Sequence, residues 1–203
     1  MVAYFLLNNV WLDLLLWLAI YASDYYLTLY QMGLYRKGGQ EHVGHEGSLE
    51  LNPYYQADVD RQRKFSLRWL LMACLTSLLL LAVWWLSLRG LGLPGFFWLV
   101  LGMLYLLEAA VHVRHLTNIV LFRQILRGEA GGRIEYSRKA SLLTSAGQFL
   151  GFAILFFLCF LLTSQWFFLG GALGCASTGM NHYLHARKLP ARQAVPPPPA
   201  SKP

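Results

Sequence analysis

One apolar stretch of the sequence carries an unusual set of ionisable side chains. Between Pro94 and Phe122 the chain is apolar enough to cross a bilayer, yet it contains Glu108, His112 and His115. Ionisable residues inside a membrane span are costly and mark a functional site by default. At about 100° per residue on an α-helix, these three side chains fall within roughly 60° of one another. The stretch therefore predicts one helix face that presents a carboxylate and two imidazoles.

The six histidines of the chain form three pairs with the same i, i+3 spacing. The pairs are His42 and His45, His112 and His115, and His182 and His185. Two imidazoles three residues apart on a helix are neighbours and can bind one metal ion, with carboxylates as further ligands. We therefore expect a transition metal such as zinc or iron. Its candidate ligands are Asp24, Glu50, His112, His115, His182 and His185.

Glu108 precedes His112 by one helical turn. It is the candidate catalytic base, and a role as metal ligand is the alternative. On the same helix Arg114 is expected to point well away from the acidic and imidazole face. Histidines near a membrane boundary also occur as ordinary interfacial residues, so a structural role stays open for each pair.

Asp13 is a candidate of a different kind. It lies near the middle of the first apolar stretch, eleven residues before Asp24, and eleven residues return a helix to nearly the same angle. A mid-membrane carboxylate costs roughly 2.5–3.5 kcal/mol on insertion scales. Asp13 and Asp24 therefore suggest a proton or cation path. The alternative is a buried packing carboxyl that is hydrogen-bonded to Thr76, Ser77 or Tyr105.

The composition identifies the environment of the chain. Of its 203 residues 56% are hydrophobic and only 13% are charged, whereas soluble domains carry about 25% charge. Several runs of about 20 apolar residues predict a polytopic helical membrane protein, whose partner is the lipid bilayer. The net charge of +7 comes from loop residues, and with no nucleic-acid-binding motif we expect no nucleic acid partner. Three cysteines lie in apolar segments and are expected to be buried thiols.

The predicted fold is all-α, a membrane helical bundle of five transmembrane helices in one domain, residues 1–186. The spans are expected at about residues 3–24, 65–88, 95–120, 142–162 and 166–183. Polar loops occupy residues 36–64 and 123–141, and the proline-rich tail 187–203 is predicted to be disordered. Asn52 and Pro53 indicate the start of a helix that continues into the second span.

The distribution of Lys and Arg gives an orientation. With five spans, fifteen of the 17 cationic residues lie on one side, Arg89 alone lies on the other, and Arg114 stays inside a span. The positive-inside rule then places the N-terminus outside and the C-terminus in the cytoplasm. In this topology the histidine pairs lie at similar depth, near the cytoplasmic boundary.

Glycines in the last two predicted spans are spaced for close helix contact. Gly147 and Gly151, and likewise Gly170 and Gly174, are four residues apart. Small residues at this spacing let two helix backbones approach closely in a membrane. We therefore expect a homo-oligomer through these glycine-rich faces.

Three segments, ASDYYLTLY, EGSLELNPYYQADVD and EAAVHVRHLTNIVLF, resemble a family of uncharacterised bacterial multi-pass membrane proteins. The shared features are Asp24 and Thr28 at the end of span one, the E-x-N-P element of Glu50 to Pro53, and the H-x-x-H of span three. The resemblance covers spans one to three. It implies a location in the bacterial inner membrane and no particular activity.

Three functions fit these patterns. The leading hypothesis is a metal-dependent membrane enzyme that acts on a lipid-like substrate, in which the metal activates water or oxygen. The second is a small proton- or cation-coupled transporter or channel. The third is a non-catalytic membrane protein that assembles with a partner.

Overall fold

The computed structural model describes residues 9–190, which form a helical bundle with two short strands. In chain order the elements are α1 (Val10–Leu34), a π-helical turn (Tyr35–Gly39), α2 (Gln40–His42), β1 (Val43–His45), α3 (Gln56–Asp60), α4 (Leu67–Trp85), a second π-helical turn (Leu86–Gly90), α5 (Pro94–Leu126), β2 (Ile134–Tyr136), α6 (Arg138–Thr163) and α7 (Trp166–Lys188). The predictions for residues 3–8 of the first span and 191–203 of the tail lie outside the described residues.

Four helical stretches are long and apolar enough to cross a membrane. They are Val10–His42, Leu67–Gly90, Pro94–Leu126 and Arg138–Thr163. Their outer faces carry exposed apolar side chains such as Trp11, Leu78 and Leu162, as helices that contact lipid do. The expected all-α bundle with helices of membrane-spanning length is therefore borne out. The fifth predicted span is also a helix, α7, but it is richer in glycine and polar residues and is not among these four.

Capping residues and a proline mark the N-termini of the long helices. The side chains of Asn9, Ser66 and Ser137 accept hydrogen bonds from backbone N–H groups in the first turns of α1, α4 and α6. Pro94 occupies the first turn of α5, where its missing N–H costs nothing. These caps satisfy N–H groups that have no partner inside the helix.

The chain between Asn52 and the second span departs from the prediction of one continuous helix. α3 covers only Gln56–Asp60, and α4 begins anew after Ser66. The reason is a buried carboxylate: Asp58 accepts hydrogen bonds from Ser66 Oγ at 2.5 Å and Arg63 Nη1 at 3.1 Å. These contacts hold residues 61–66 as a loop between α3 and α4, so the continuous-helix prediction is wrong.

Two apolar clusters hold the long helices together. Val10, Leu14, Trp17, Leu80, Phe97 and Leu101 join α1, α4 and α5. Ala110, Phe149, Ala153 and Cys175 join α5, α6 and α7, with α7 packed against both α5 and α6. All three cysteines are free, but only Cys175 is buried as expected, because Cys74 lies on the exposed face of α4.

The two long loops meet at one end of the bundle. β1 and β2 pair in parallel, from Val43 opposite Ile134 to His45 opposite Tyr136. Strands of three residues leave no alternating pattern that a sequence reading could detect. β1 precedes α4, and β2 follows α5. Their pairing therefore means that α4 and α5 form a helical hairpin, which returns the chain to the end of the bundle that holds β1.

Candidate metal centre

Three side chains from two helices converge between α1 and α5. Asp24 of α1 and Glu108 and His112 of α5 each offer one ligand atom, and these atoms all lie within 4.8 Å of one another. Packing of α1 against α5 brings Asp24 to the other two, which are one turn apart on one helix. Among residues 9–190 this is the one group of three or more His, Cys, Asp or Glu side chains with such spacing.

The hydrogen bonds of His112 leave one ring nitrogen available. Nδ1 lies 2.7 Å from the backbone oxygen of Glu108, which only accepts, so Nδ1 carries the proton. Nε2 therefore has the lone pair in the neutral ring, and it lies 2.7 Å from Ser23 Oγ. A histidine that binds a metal donates its other N–H in this way, which fixes the tautomer and the ring orientation.

The two carboxylates have oxygens that nothing in the described chain satisfies. Asp24 Oδ1 and Glu108 Oε2 are both buried and have no hydrogen bond. A buried carboxylate without a partner is costly, and two of them side by side repel each other unless one is protonated or a cation lies between them. One imidazole and two carboxylates form a ligand set that suits zinc or iron.

His115 supports Asp24 from the side and is not part of the group of three. Its Nδ1 donates to Gln31 Oε1 at 2.7 Å, and its Nε2 lies 3.1 Å from both Thr28 Oγ1 and Asp24 Oδ1. The contact with Asp24 is close but poorly aligned for a hydrogen bond, since Oδ1 counts as unpartnered. His115 is buried, and both of its nitrogens face oxygen atoms, which fixes the ring beside the Asp24 carboxylate.

Gln31 and Ser23 are site residues that the sequence reading missed. For Gln31 a signal existed: Asp24, Thr28 and Gln31 follow the i, i+4, i+7 spacing of one helix face. Ser23 lies beside Asp24 in sequence, and its contact with His112 depends on how α1 is rotated against α5.

A large cavity lies beside the cluster. It has a volume of about 850 Å³, and Asp24, Glu108 and His115 all line it. Its walls combine these polar groups with apolar side chains from several helices. The apolar lining includes Trp17, Met72, Leu104, Leu107, Val111 and Phe149.

The polar loop folds back over this cavity and brings Glu50 to it. Glu50 Oε1 accepts a hydrogen bond from the Asn52 N–H at 2.7 Å. Arg138 holds the loop by donating to the backbone oxygens of Ser48, Glu50 and Leu51. Burial raises the pKa of the Glu50 carboxyl, and the Asn52 N–H, Arg114 and His115 partly oppose that shift.

The histidines of α7 line the cavity but stay outside the group of three. His182 Nδ1 lies 2.9 Å from Ser145 Oγ on α6, and His185 Nδ1 donates to the backbone oxygen of Asn181 at 2.8 Å. His42 and His45 belong to the loop junction. His42 Nδ1 donates to the oxygen of Gly132 at 2.8 Å, and the His45 ring stacks on Tyr136.

Asp13 is fully buried, and neither carboxylate oxygen has a hydrogen bond. Tyr105 donates to the backbone oxygen of Asp13 at 2.6 Å, and Thr76 accepts from Trp17 Nε1 at 3.0 Å. The expected hydrogen bond from Thr76, Ser77 or Tyr105 to the carboxyl group is therefore wrong. Asp13 lies about three turns from Asp24 along α1 and is not part of the metal cluster.

The fold and the site together define a class, a helical membrane bundle with a carboxylate and histidine cluster that could hold a metal ion. Comparison with family models, curated proteins and solved structures finds no match to this chain.

Proposed function

We propose that this protein is a metal-dependent membrane enzyme in which Asp24, Glu108 and His112 hold the metal ion. The observation that carries the proposal is the approach of these three ligand atoms to within 4.8 Å of one another. Asp24 and Glu108 also face a cavity of about 850 Å³. Three protein ligands beside an open space are the arrangement of catalytic metal sites, which keep one position free for water or substrate.

The proposed chemistry is hydrolysis of an ester bond in a lipid-like molecule. A metal ion held by Asp24, Glu108 and His112 would lower the pKa of a bound water. Glu50, which lines the same cavity, would take up a proton from that water and return it to the alcohol that leaves when the water oxygen bonds to the ester carbon. The base role expected for Glu108 passes to Glu50 in this scheme, because Glu108 is needed as a ligand. The mixed apolar and charged lining of the cavity supports an amphipathic substrate.

The test is a metal titration of the purified, chelator-treated protein in detergent, with zinc and iron(II) added separately. We expect one equivalent to bind, and Asp24→Asn, Glu108→Gln and His112→Ala each to weaken binding by 100-fold or more. Such a loss exceeds the 10–100-fold that partners of metal ligands contribute.

His42→Ala is the matched control, because it removes an imidazole that contacts the Gly132 oxygen away from the cluster. It should bind metal like the parent protein. The proposal is contradicted if the parent protein binds no metal. It is also contradicted if the His112→Ala variant binds metal as tightly as the parent does.

A second candidate function, a proton or cation path, is favoured by Asp13 alone. Its carboxyl group is buried and accepts no hydrogen bond from the described chain. Asp13 also lies on the same helix as Asp24. We expect Asp13→Asn to abolish proton flux into liposomes that contain the protein, while metal binding stays at the parent level. Absence of flux with the parent protein removes this candidate.

For the topology we propose that α7 is a fifth span, with the N-terminus outside and the C-terminus in the cytoplasm of a bacterial inner membrane. The distribution of cationic residues, fifteen against one, supports this orientation. The pairing of β1 with β2 agrees with it, because both long loops then lie on the cytoplasmic side. The resemblance of spans one to three to bacterial multi-pass proteins supports the location, and the open glycines of α6 support a homo-oligomer.

A further inference from the structure

Arg114 is a cation in the middle of the apolar helix α5. Its Nη1 donates to Ser145 Oγ at 2.9 Å, and its guanidinium lies 5.6 Å from the centre of the Phe149 ring. Within the described chain no carboxylate forms an ion pair with it. An arginine inside a span is costly unless its charge is compensated, and neither a hydroxyl nor an aromatic face neutralises it.

The carboxylates of the cavity form no ion pair with Arg114 within the described chain. Glu50 accepts from the Asn52 N–H, and Asp24 and Glu108 belong to the metal cluster. These carboxylates lower the electrostatic cost of burying the Arg114 charge without contacting it, because the Arg114 charge attracts the charges of Glu50 and Glu108. The remaining N–H groups of the guanidinium stay available, and Arg114 lines the cavity.

Ser145 links Arg114 to a second donor on the cavity wall. The hydroxyl of Ser145 is buried and accepts from Arg114, so its own hydrogen is free to bond to His182 Nδ1 at 2.9 Å. In that arrangement the proton of the neutral ring is on His182 Nε2. Arg114 and His182 therefore provide two kinds of N–H donor to one cavity.

We propose that Arg114 and His182 form an anion subsite, which binds the phosphate or carboxylate of an amphipathic ligand. Arginine is suited to this role because its planar fork matches both anions. The apolar part of the ligand lies along Leu104, Leu107 and Val111, which line the same cavity. That this ligand is the substrate rests on the proposed function, whereas the binding itself needs no metal.

The subsite lies within reach of the metal cluster. Arg114 lies six positions after Glu108 on α5, a rise of about 9 Å along the helix and a turn of about 120° around it, yet both residues line the same cavity. One headgroup in the cavity can therefore contact Arg114 with its anionic group and place another of its bonds near the metal.

The test measures ligand binding to the metal-free protein in detergent, with chelator present throughout. The probes are dioctanoyl phosphatidic acid, dioctanoyl phosphatidylcholine and inorganic phosphate, and binding is followed by tryptophan fluorescence. We expect phosphatidic acid to bind at least tenfold more tightly than either other probe. Arg114→Gln should remove that tenfold preference, and Arg114→Lys should keep part of it.

Arg123→Gln is the matched control. Arg123 is also on α5, also donates to a hydroxyl, that of Tyr30, and also lies over an aromatic ring, but it is outside the cavity. It should bind all three probes like the parent protein. Equal affinity for phosphatidic acid and phosphatidylcholine overturns the anion subsite, and inorganic phosphate that binds as tightly as phosphatidic acid overturns the amphipathic ligand.

The two proposals fail in distinguishable ways. If phosphatidic acid binds as described but the protein takes up no metal, the enzyme proposal is lost and the anion subsite stands. If metal binds to the cluster but Arg114→Gln leaves lipid binding unchanged, only the subsite is lost.

Discussion

His45 is half-buried at the junction of the two long loops, where its ring stacks on Tyr136 and packs beside Tyr35. Burial and the nearby Arg138 lower the pKa of His45 below its ordinary value of 6.5. The folded protein therefore takes up the His45 proton less readily than the unfolded chain does. The stability that depends on neutral His45 is complete above pH 6.5 and is lost as the pH falls toward the folded pKa.

From this we expect the melting temperature of the parent protein to fall relative to that of the His45→Phe variant between pH 7 and pH 5, because Glu50, whose raised pKa acts in the opposite direction, is present in both proteins. Phenylalanine keeps the aromatic stacking on Tyr136 but cannot be protonated. Thermal unfolding in detergent at several pH values measures the difference. Parallel curves for the two proteins would show that His45 contributes nothing to the pH dependence.

Hydrogen bonds at the residue scale also divide the three histidine pairs between different roles. Spacing alone cannot do so, because all three pairs have the same i, i+3 form. His112 donates from Nδ1 to the Glu108 backbone oxygen and contacts only the Ser23 hydroxyl with Nε2, whereas His115 lies between Gln31, Thr28 and Asp24. His42 holds a loop, and His182 belongs to the Arg114 subsite. The partners that decide these roles come from distant parts of the chain.

At the scale of elements, α7 depends on its glycines for close contact with α5. A methyl group added at Gly170 would lie 1.8 Å from the backbone oxygen of Leu99, and one at Gly102 would lie 1.8 Å from that of Phe167. Backbone atoms inside two packed helices cannot move aside as the end of a side chain can. Gly147 on α6 is different, since nothing lies within 4 Å of its position.

We therefore expect Gly170→Ala to lower the free energy of unfolding by about 1–3 kcal/mol or more, as over-packing does. Gly147→Ala, the matched control, should leave it unchanged or raise it by up to about 1 kcal/mol, because alanine favours the helix. Unfolding in a series of denaturant concentrations compares the two variants. A Gly170→Ala variant as stable as the parent would show that the α5 and α7 backbones are not in close contact.

The same glycines bear on the expected homo-oligomer. Gly170 and Gly174 pack against α5 of the same chain. A second copy of the protein therefore cannot pack on them without displacing α5. Gly147 and Gly151 face open space and remain available to a partner. The spacing of four residues is identical in the two helices, and only the packing distinguishes them.

At the scale of the whole molecule, the number of spans decides which side of the membrane the end of α7 faces. We expect an impermeant thiol reagent to label Leu91→Cys and Ser164→Cys, but not Gly131→Cys or Pro190→Cys, in sealed vesicles with the outer face exposed. Cys74, Cys159 and Cys175 are first replaced by serine or alanine. Disrupting the vesicles should expose all four positions.

Labelling of Pro190→Cys together with Ser164→Cys in sealed vesicles would mean that α7 does not cross the membrane. The chain would then have four spans, and both histidines of α7 would lie near the outer face. Labelling of Gly131→Cys with Leu91→Cys would instead contradict the α4 and α5 hairpin that the pairing of β1 with β2 implies.

Local forces, which can be recognised in the amino-acid sequence, account for the helices and their ends. The length and hydropathy of the apolar runs set the long helices, because a backbone in lipid must satisfy its hydrogen bonds within the helix. Loop residues marked the helix ends, as Ser164 and Gln165 do between α6 and α7. The acidic and imidazole face of α5 followed from helical geometry.

Only the tertiary structure decided which groups meet. Asp24 reaches Glu108 and His112 only at one rotation and one axial shift of α1 against α5. The hydropathy of the two helices is nearly the same at other rotations and shifts, so it does not reveal the contact. The buried Asp58 interrupts a helix that local signals favour, and the loop contacts of Arg138 bring Glu50 to the cavity. Contacts between residues far apart in the chain are settled by packing and by the need to pair buried polar groups. For that reason the sequence predicted which side chains could do chemistry, and the fold selected which of them lie together.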